Sequence, residues 1–239
     1  DPRVSGEAVS VTRLERLVSC PFRYFVEHGL GVEVVADEDP DHDEWLDGMQ
    51  RGAALHEIYA TLGREARAKA IRLQPRRDTF RARQVAEEKL EALRAECPPP
   101  SDVVFDRERA EFLRDVELFL EFEASRADSE PVAFEVSFGR DSDVEEPLAR
   151  AEPVTISLGQ GESFALKGTI DRIDRLPDGT YEVIDYKTGT FNRDKWRGTF
   201  RGSAMLQHAL YGVAAAALLR RLDSKARVSR GVYEFPSAR

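Results

Sequence analysis

The sequence has little cysteine and no long apolar run, and each absence excludes a class of protein. Its two cysteines, Cys20 and Cys97, are too few for a disulfide framework and suit a reducing cytosol. No segment approaches the roughly 20 apolar residues of a membrane-spanning helix, and the chain opens on Asp-Pro-Arg rather than on the apolar segment of a signal peptide. We therefore expect a cytoplasmic protein that has no membrane partner.

Positive charge is also in short supply. Lys and Arg number 35 against 44 Asp and Glu, so the formal net charge is -9 at pH 7. This acidic balance argues mildly against a protein that binds nucleic acid over its whole surface. In other respects the composition, with 41% hydrophobic and 33% charged residues, is typical of globular proteins.

The spacing of apolar residues changes near Pro131. Before it, apolar residues recur at helical spacing, with a capping box at Thr12 and Glu15 and a fresh helix start at Pro21. After it, short alternating segments predict strands. The predicted elements are helices that begin near residues 12, 22 and 48 and that span 78–96 and 106–127, then strands 132–138, 154–158, 164–176 and 180–187, a helix 203–222 and a strand 228–235. We expect a helical region, residues 1–130, packed on a core, residues 131–239, as one compact unit and as a fragment of a longer protein.

One predicted hairpin carries most of the chemical information. Pro177-Asp178-Gly179 suits a three-residue loop flanked by Leu176 and Thr180. The numbers of opposed residues then sum to 356, which places Asp171 opposite Asp185 with Cβ atoms about 5 Å apart. Lys187 lies two residues beyond Asp185 and therefore points to the same face.

Two directly opposed carboxylates repel each other, so something must offset the repulsion. They could share a proton, as a carboxylate dyad does, or they could bind a divalent cation such as Mg²⁺ or Mn²⁺. The nearby ammonium of Lys187 favours the metal, because a lysine beside a metal suits a phosphate substrate. The pattern then indicates metal-assisted phosphodiester hydrolysis. The competing interpretation is an exposed hairpin with solvated charges.

The residues Asp171 and Asp185-Tyr186-Lys187 resemble the PD-(D/E)XK nuclease superfamily, in particular the RecB-type, AddB-like nuclease domains of bacterial helicase–nucleases. Further stretches of the chain resemble motifs of that branch and occur in the same order. They are Ser10–Glu15 running into Cys20–Phe25, Arg51–His56 with its Gly-x-x-x-His pattern, Gln207 with Tyr211, and Gly231–Pro236.

The resemblance implies an α/β, restriction-endonuclease-like core with αβββαβ order and a mixed central sheet, preceded by a helical N-terminal region. It implies that His56, Asp171, Asp185 and the carbonyl of Tyr186 bind Mg²⁺ or Mn²⁺. Lys187 would act on the attacking water, and Gln207 and Tyr211 would brace the hairpin or touch the DNA backbone. The implied protein is a bacterial, cytoplasmic, metal-dependent DNA nuclease of exonuclease type that works in DNA repair or recombination. Its implied partners are DNA, as single strands or ends, and a helicase subunit or fused helicase domain.

Basic residues interleaved with aromatic ones follow the hairpin and could track a phosphate backbone and stack a base. They are Arg193, Lys195, Trp196, Arg197 and Arg201. The alternative is an exposed loop with ordinary charges. A second basic stretch could line a DNA path or form a solvated helix face, and it comprises Arg64, Arg67, Lys69, Arg72, Arg76 and Arg77.

Several other reactive residues receive structural interpretations. Cys20 matches the position of the first iron–sulfur ligand in some relatives, but four thiolates are the usual requirement, so we predict no cluster in this chain; a longer parent protein could complete one through Cys20. Glu135 is either a strand-face charge or an acidic neighbour of the site. We expect Asp174, on the opposite strand face from Asp171, to be a salt-bridge partner. The histidines other than His56 are expected to be ordinary; they are His28, His42 and His208.

Two other functions compete with the nuclease. One is a catalytically silent, nuclease-like scaffold that binds DNA or a helicase partner, and the presence of Asp171, Asp185 and Lys187 argues against it. The other is a metal-dependent phosphoesterase that acts on small substrates, which the basic aromatic loop disfavours. The sequence has no Walker A motif and so carries no motor of its own.

Overall fold

A computed structural model of the chain describes residues 7–32, 43–142, 144–189 and 206–237. The chain divides into two compact units. Among the described residues, the first unit comprises 7–32, 135–185 without 143, and 206–232, and the second comprises 43–134, 186–189 and 233–237. Each unit is made of several separate stretches of the chain. The predicted helical region and core are instead two consecutive stretches of sequence. Their boundary at residue 130 stays a prediction.

The first unit begins with strand β1, Val9–Ser10, and helix α1, Val11–Ser19. Helix α2, Pro21–Tyr24, follows with proline in its first turn, as predicted, and continues into a π-helical segment, Phe25–Gly29. The predicted capping box at Thr12 and Glu15 is wrong, because Ser10 caps α1 by accepting a hydrogen bond from the Arg13 N–H at 3.3 Å. The helix therefore begins one residue before Thr12.

A six-stranded mixed sheet is built around one long strand, β4, Glu162–Arg175. This strand pairs with β1 in parallel and with β3 and β5 in antiparallel orientation, and it also pairs with β2. The other strands are β2, Glu130–Phe138, β3, Val154–Gly159, β5, Tyr181–Tyr186, and β6, Val228–Glu234, which pairs with β5. Helix α6, Gln207–Leu219, lies between β5 and β6 in the chain. The predicted mixed α/β class is confirmed.

The β4–β5 hairpin has the predicted register. Its pairs run from Arg172 opposite Ile184 to Arg175 opposite Tyr181, and all of their numbers sum to 356. In the loop, the Leu176 N–H donates to the Thr180 carbonyl at 2.8 Å, and Gly179 has the left-handed φ of +79° that this loop requires. The loop chemistry therefore sets the register of the whole hairpin.

The second unit contains three long helices, α3, Gly48–Ala68, α4, Pro75–Glu96, and α5, Asp102–Ser125. Asp47 and Gln50 form a capping box at the start of α3, Pro75 occupies the first turn of α4, and the Ser101 hydroxyl caps α5. Buried apolar residues on these helices form its core: Leu55, Ile58, Leu62, Leu90, Phe112 and Phe119. None of the helices in the described ranges is long and apolar enough to span a membrane.

A buried ion pair joins the first turn of α3 to α5. The Arg51 guanidinium donates a hydrogen bond to the Asp115 carboxylate, and the two residues are only 2% and 0% exposed. The same guanidinium carbon lies 4.4 Å from the centroid of the Phe112 ring. Because removing one partner of a buried ion pair is costly, this contact helps to hold α3 against α5.

Candidate active site

Two buried carboxylates occupy one face of the hairpin in the first unit. The β4–β5 register, continued by one residue beyond Arg172 and Ile184, places Asp171 opposite Asp185. The two residues are 8% and 2% exposed. Ionised carboxylates at this depth are costly unless cations or hydrogen-bond donors compensate them. The burial of both side chains contradicts the alternative of an exposed hairpin with solvated charges.

Glu135 adds a third acidic group beside this pair. One carboxylate oxygen of Glu135 and one of Asp171 lie within 4.8 Å of each other. The backbone at Glu135 has a φ of +49°, a left-handed conformation inside strand β2 that an L-residue rarely adopts. Such strain costs about 1–3 kcal/mol and is concentrated at functional sites, where it redirects a side chain. The geometry favours the interpretation of Glu135 as a neighbour of the site.

Tyr211 of α6 lies close to the same carboxylates. Burial, followed by the negative charges of Asp171 and Asp185, raises the pKa of the Tyr211 phenol to about 12, while hydrogen bonds from the Thr169 backbone and the Gln207 side chain act in the opposite direction. The phenol therefore stays neutral at ordinary pH. Gln207 and Tyr211, one helical turn apart, are thus linked to each other and to the β4 segment that leads into Asp171.

The close approach of Tyr211 to β4 depends on Gly168. A Cβ atom at Gly168 would lie 2.8 Å from the Tyr211 hydroxyl oxygen and 2.9 Å from its Cε1. The ring also makes an edge-to-face contact with Phe138, with centroids 6.1 Å apart. The hydroxyl therefore occupies a slot that only glycine leaves open.

In the second unit, Tyr186 is enclosed by aromatic side chains. The ring of Tyr186 makes edge-to-face contacts at centroid distances of 5.4–6.2 Å with four rings, those of His56, Tyr59, Phe119 and Phe122. Tyr59 is in turn stacked on Phe119 at 4.2 Å. Each such pair contributes about 0.5–1.5 kcal/mol beyond the burial of its area. The middle residue of Asp185-Tyr186-Lys187 is therefore held in place by α3 and α5.

His56 contacts the main chain of the same segment. Its Nε2 atom lies 3.0 Å from the carbonyl oxygen of Tyr186. The glycine of the Gly-x-x-x-His pattern has a related role, because a Cβ at Gly52 would lie 3.1 Å from the Thr188 hydroxyl. Helix α3 thus approaches the segment from Tyr186 to Thr188 at two points one helical turn apart.

Lys187 is half-buried and is held by the end of β6. Its N–H donates to the Glu234 carbonyl at 2.8 Å, and its Nζ atom lies 5.2 Å from the centroid of the Tyr233 ring. This is within the range of a cation–π interaction. The ammonium of the predicted catalytic lysine therefore rests on an aromatic ring.

The donor atoms of these residues suit a hard divalent cation. In an octahedral site with metal–ligand distances of about 2.1 Å, neighbouring ligand atoms lie about 3 Å apart. The 3.0 Å separation of His56 Nε2 from the Tyr186 carbonyl oxygen equals that value, although the contact is also a hydrogen bond when Nε2 carries the proton. In the first unit, carboxylate oxygens of Glu135 and Asp171 lie close enough to reach a common ion. Carboxylate and carbonyl oxygens are ligands that suit Mg²⁺ or Mn²⁺, whereas the imidazole nitrogen also suits other divalent ions.

The other predicted residues have separate positions. The predicted DNA-contacting residues lie outside the described residues; they are Arg193, Lys195, Trp196, Arg197 and Arg201. In the second basic stretch, Arg64, Arg67 and Arg72 donate to backbone carbonyls between residues 126 and 134, at 2.6–3.2 Å. These contacts favour a structural role for the three arginines.

The acidic, thiol and histidine side chains outside the candidate site have structural surroundings. Asp174 is fully buried and accepts two hydrogen bonds from the Arg172 guanidinium, at 2.5 and 2.9 Å, so the predicted salt bridge is confirmed. The Cys20 sulfur accepts a hydrogen bond from the Arg23 N–H at the start of α2, at 3.5 Å. His28 packs on Tyr24, and burial lowers the pKa of His208. His42 lies outside the described residues.

Sequence reasoning missed the contacts that two supporting residues make. Glu15 accepts hydrogen bonds from the N–H groups of Leu206 and Gln207, at 2.6 and 3.1 Å, and so caps the helix that carries Gln207 and Tyr211. Tyr233 lies under the ammonium of Lys187. Both contacts join residues far apart in the chain, and no local pattern signals them.

Comparison with known proteins identifies the family. A sequence profile of the PD-(D/E)XK nuclease superfamily matches residues 8–238. A subunit of the ATP-dependent helicase/deoxyribonuclease of Symbiobacterium thermophilum is 30% identical over 233 residues, which cover 95% of this chain and 19% of that protein. The corresponding subunit from Acetivibrio thermocellus is 30% identical over 79% of this chain and 16% of its own length. The chain thus spans less than a fifth of these relatives, and it belongs to the PD-(D/E)XK nuclease superfamily.

Proposed function

We propose that the protein is a metal-dependent DNA nuclease that hydrolyses phosphodiester bonds. The observation that supports the proposal is the hairpin register, which would put Asp171 opposite Asp185 if it continues by one residue beyond the pair of Arg172 and Ile184. Lys187 follows Asp185 by two residues. Buried carboxylates followed by a lysine form a site for a cation and a phosphate together. Membership of a nuclease superfamily supports the same chemistry.

Asp171, Asp185, the Tyr186 carbonyl and His56 are the proposed ligands of Mg²⁺ or Mn²⁺, and Glu135 is proposed as an acidic neighbour of that ion. We assign them to one ion because they match motifs of the family that occur in the same order in this chain. When bound, the ion would polarise a phosphoryl oxygen and lower the pKa of a water molecule. The carboxylates provide hard oxygen ligands, and the neutral imidazole of His56 provides one nitrogen.

The other side chains act on the substrate and on the ligands. Lys187 is proposed to orient the attacking water and to stabilise the negative charge that develops on the phosphate. Tyr211, whose phenol remains protonated at neutral pH, is proposed to brace the segment that leads into Asp171 together with Gln207. These roles require no side chain to change its charge before the substrate binds.

The biological setting is proposed from the relatives. Both compared proteins are named as helicase/deoxyribonuclease subunits, so we propose that this chain acts on DNA, as single strands or ends, together with a helicase subunit or fused helicase domain. We propose exonuclease-type action in DNA repair or recombination in the bacterial cytoplasm. Basic residues that follow the hairpin are the proposed DNA contacts; they are Arg193, Lys195, Trp196, Arg197 and Arg201. Cys20 alone supplies one thiolate, and we propose no iron–sulfur cluster for this chain.

A cleavage assay tests the proposal. Labelled single- and double-stranded DNA is incubated with Mg²⁺ or Mn²⁺ and the wild-type protein, Asp185→Ala or Lys187→Ala. Each change should reduce the cleavage rate by about 10²-fold or more, because each removes a group that stabilises the reacting phosphate or its ion. Cleavage that survives both changes would refute the site, and a wild-type protein that binds DNA without cutting it would favour a scaffold.

A further inference from the structure

The segment that follows β6 lies directly against Tyr186–Thr188. The Lys187 N–H donates to the Glu234 carbonyl at 2.8 Å, and the Ser237 hydroxyl donates to the Thr188 carbonyl at 3.2 Å. The Tyr59 hydroxyl of α3 donates to the Pro236 carbonyl at 2.8 Å. The main chain around Lys187 is therefore fixed by hydrogen bonds within the second unit.

These contacts fix the backbone of Lys187 but not its side chain. Lysine is a compact charge on a long, flexible stem, and its ammonium explores many positions unless a partner holds it. The Tyr233 ring is such a partner, since its centroid lies 5.2 Å from Nζ. The ring is therefore one contact that positions the ammonium.

An aromatic partner suits a lysine that follows a metal ligand in the sequence. Lys187 is only two residues from Asp185, and an ammonium that pairs with a metal-binding carboxylate competes with the metal for it. A ring attracts the ammonium without carrying a formal charge, so the contact with Tyr233 adds no negative charge beside Lys187. A carboxylate at position 233 would compensate that charge instead.

The residues next to Tyr233 are anchored as well. The Glu234 carboxylate lies 3.8 Å from the Arg126 guanidinium, and the Arg126 guanidinium carbon lies 5.4 Å from the Phe122 ring centroid. Phe122 is one of the rings around Tyr186. Helix α5 therefore supports both the residue before Lys187 and the strand end on which its ammonium lies.

We propose that Tyr233 is a positioning residue for Lys187, holding the ammonium on its ring so that the charge remains directed at the substrate phosphate. This inference rests on the proposed nuclease function, because it assigns Tyr233 a role in the reaction that Lys187 would assist. The role belongs to the ring and not to the phenolic hydroxyl.

Two variants separate the ring from the hydroxyl, and a third controls for loss of a strand tyrosine. Tyr233→Phe keeps the ring, Tyr233→Leu removes it, and Tyr181→Leu makes the same change at a half-buried tyrosine at the start of β5. For each protein, NMR records the chemical shift of the Lys187 ε-methylene protons, and steady-state cleavage of labelled DNA gives kcat and KM. Thermal unfolding checks that each variant is folded.

We expect an upfield ring-current shift of the Lys187 ε-methylene in the wild type, in Tyr233→Phe and in Tyr181→Leu, and its loss in Tyr233→Leu. The kcat should fall about 2- to 30-fold in Tyr233→Leu, which is the range of a cation–π contact, with little change in KM. Tyr233→Phe should restore most of the kcat. This pattern distinguishes positioning from a merely structural contribution.

Other outcomes overturn the inference. An unchanged Lys187 shift in Tyr233→Leu would show that the ring does not hold the ammonium, and equal kcat values for the Phe and Leu variants would show that the ring has no role in the reaction. In both cases wild-type cleavage that depends on Lys187 leaves the nuclease proposal intact. A wild-type protein without Lys187-dependent cleavage would instead refute the proposed function, and the inference with it.

Discussion

Gly168 is the residue against which the Tyr211 hydroxyl packs, and we expect Gly168→Ala to destabilise the protein. The new Cβ would lie 2.8 Å from the hydroxyl oxygen, 2.9 Å from Cε1 and 3.2 Å from Cζ of Tyr211. Separations below 3.0 Å force a shift of the ring. The edge-to-face contact of the ring with Phe138 restricts that shift.

The size of the effect follows from two opposing contributions. Overpacking of this kind costs roughly 1–3 kcal/mol. Without the clash, replacing a strand glycine by alanine stabilises a protein by about 0.4–1 kcal/mol, because alanine restricts the unfolded chain. In a Tyr211→Leu background, where the ring is absent, Gly168→Ala should therefore be neutral or stabilising. The coupling between the two positions should be about 1–4 kcal/mol.

Urea unfolding followed by circular dichroism measures this coupling across the wild type, the two single variants and the double variant. Gly212→Ala in α6 is the control, because its Cβ would lie 3.9 Å from its nearest neighbour, a Val228 methyl carbon. That change should stabilise the protein by up to about 1 kcal/mol. The reasoning would be refuted if Gly168→Ala were neutral in the wild type, or if its cost were the same in both backgrounds.

Three further perturbations test other parts of the fold. Arg51→Met should cost about 3–5 kcal/mol in urea unfolding, because it removes a charged hydrogen-bond donor from the buried Asp115 carboxylate, whereas adding Asp115→Leu should recover most of the loss; a small effect of Arg51→Met alone would contradict this. Gly63→Ala should lower the melting temperature, since the added Cβ would overlap the Phe134 ring, and an unchanged melting temperature would contradict that packing. Asp78 has a pKa below its ordinary value of 3.8, chiefly through an adjacent arginine. Its carboxylate therefore stabilises the fold above pH 3.8, and this stabilisation is lost as the pH falls through the lower pKa of the folded state. At pH 7 the Asp78→Asn variant should be less stable than the wild type by up to about 1 kcal/mol. This difference in stability should shrink in acid. A difference that persists unchanged at low pH would exclude this origin.

The hairpin was predictable because its register depends on residues that are adjacent in sequence. Proline and glycine in the loop from Pro177 to Gly179 select one loop length, and the side-chain period of two then fixes every opposed pair. The predicted and observed pairs are the same from Arg172 to Arg175. The opposition of Asp171 and Asp185 needed only one further step along the same strands.

Contacts between distant residues could not be predicted in this way. Strand β1 pairs in parallel with β4, at Val9 opposite Leu166. Because it has only two residues, it is too short to show the alternation of apolar and polar residues that predicts a strand. Glu15, expected to cap its own helix, caps α6 instead. The left-handed backbone at Glu135 interrupts the alternation of β2 without a glycine to signal it. Each of these features depends on tertiary packing that overrides local preference.

Charge patterns were the least informative part of the sequence. The stretch that contains Arg64 and Arg67 has the composition of a DNA-binding face, yet these two side chains donate to the carbonyls of Phe134 and Val132. A guanidinium carries the same formal charge in either role, and only its partners distinguish them. The net charge of -9 was equally unspecific, since it includes the buried acids of the candidate site.

The most direct test of the central claim is a titration with Mn²⁺ that follows ion binding and DNA cleavage in the same samples. We predict saturable Mn²⁺ binding by the wild type, cleavage that rises with occupancy, and loss of both in Asp185→Asn. Lys187→Met should retain Mn²⁺ binding but lose cleavage, because the lysine acts on the substrate and does not ligate the ion. Mn²⁺ binding by Asp185→Asn equal to that of the wild type, or cleavage that continues in excess chelator, would contradict the account.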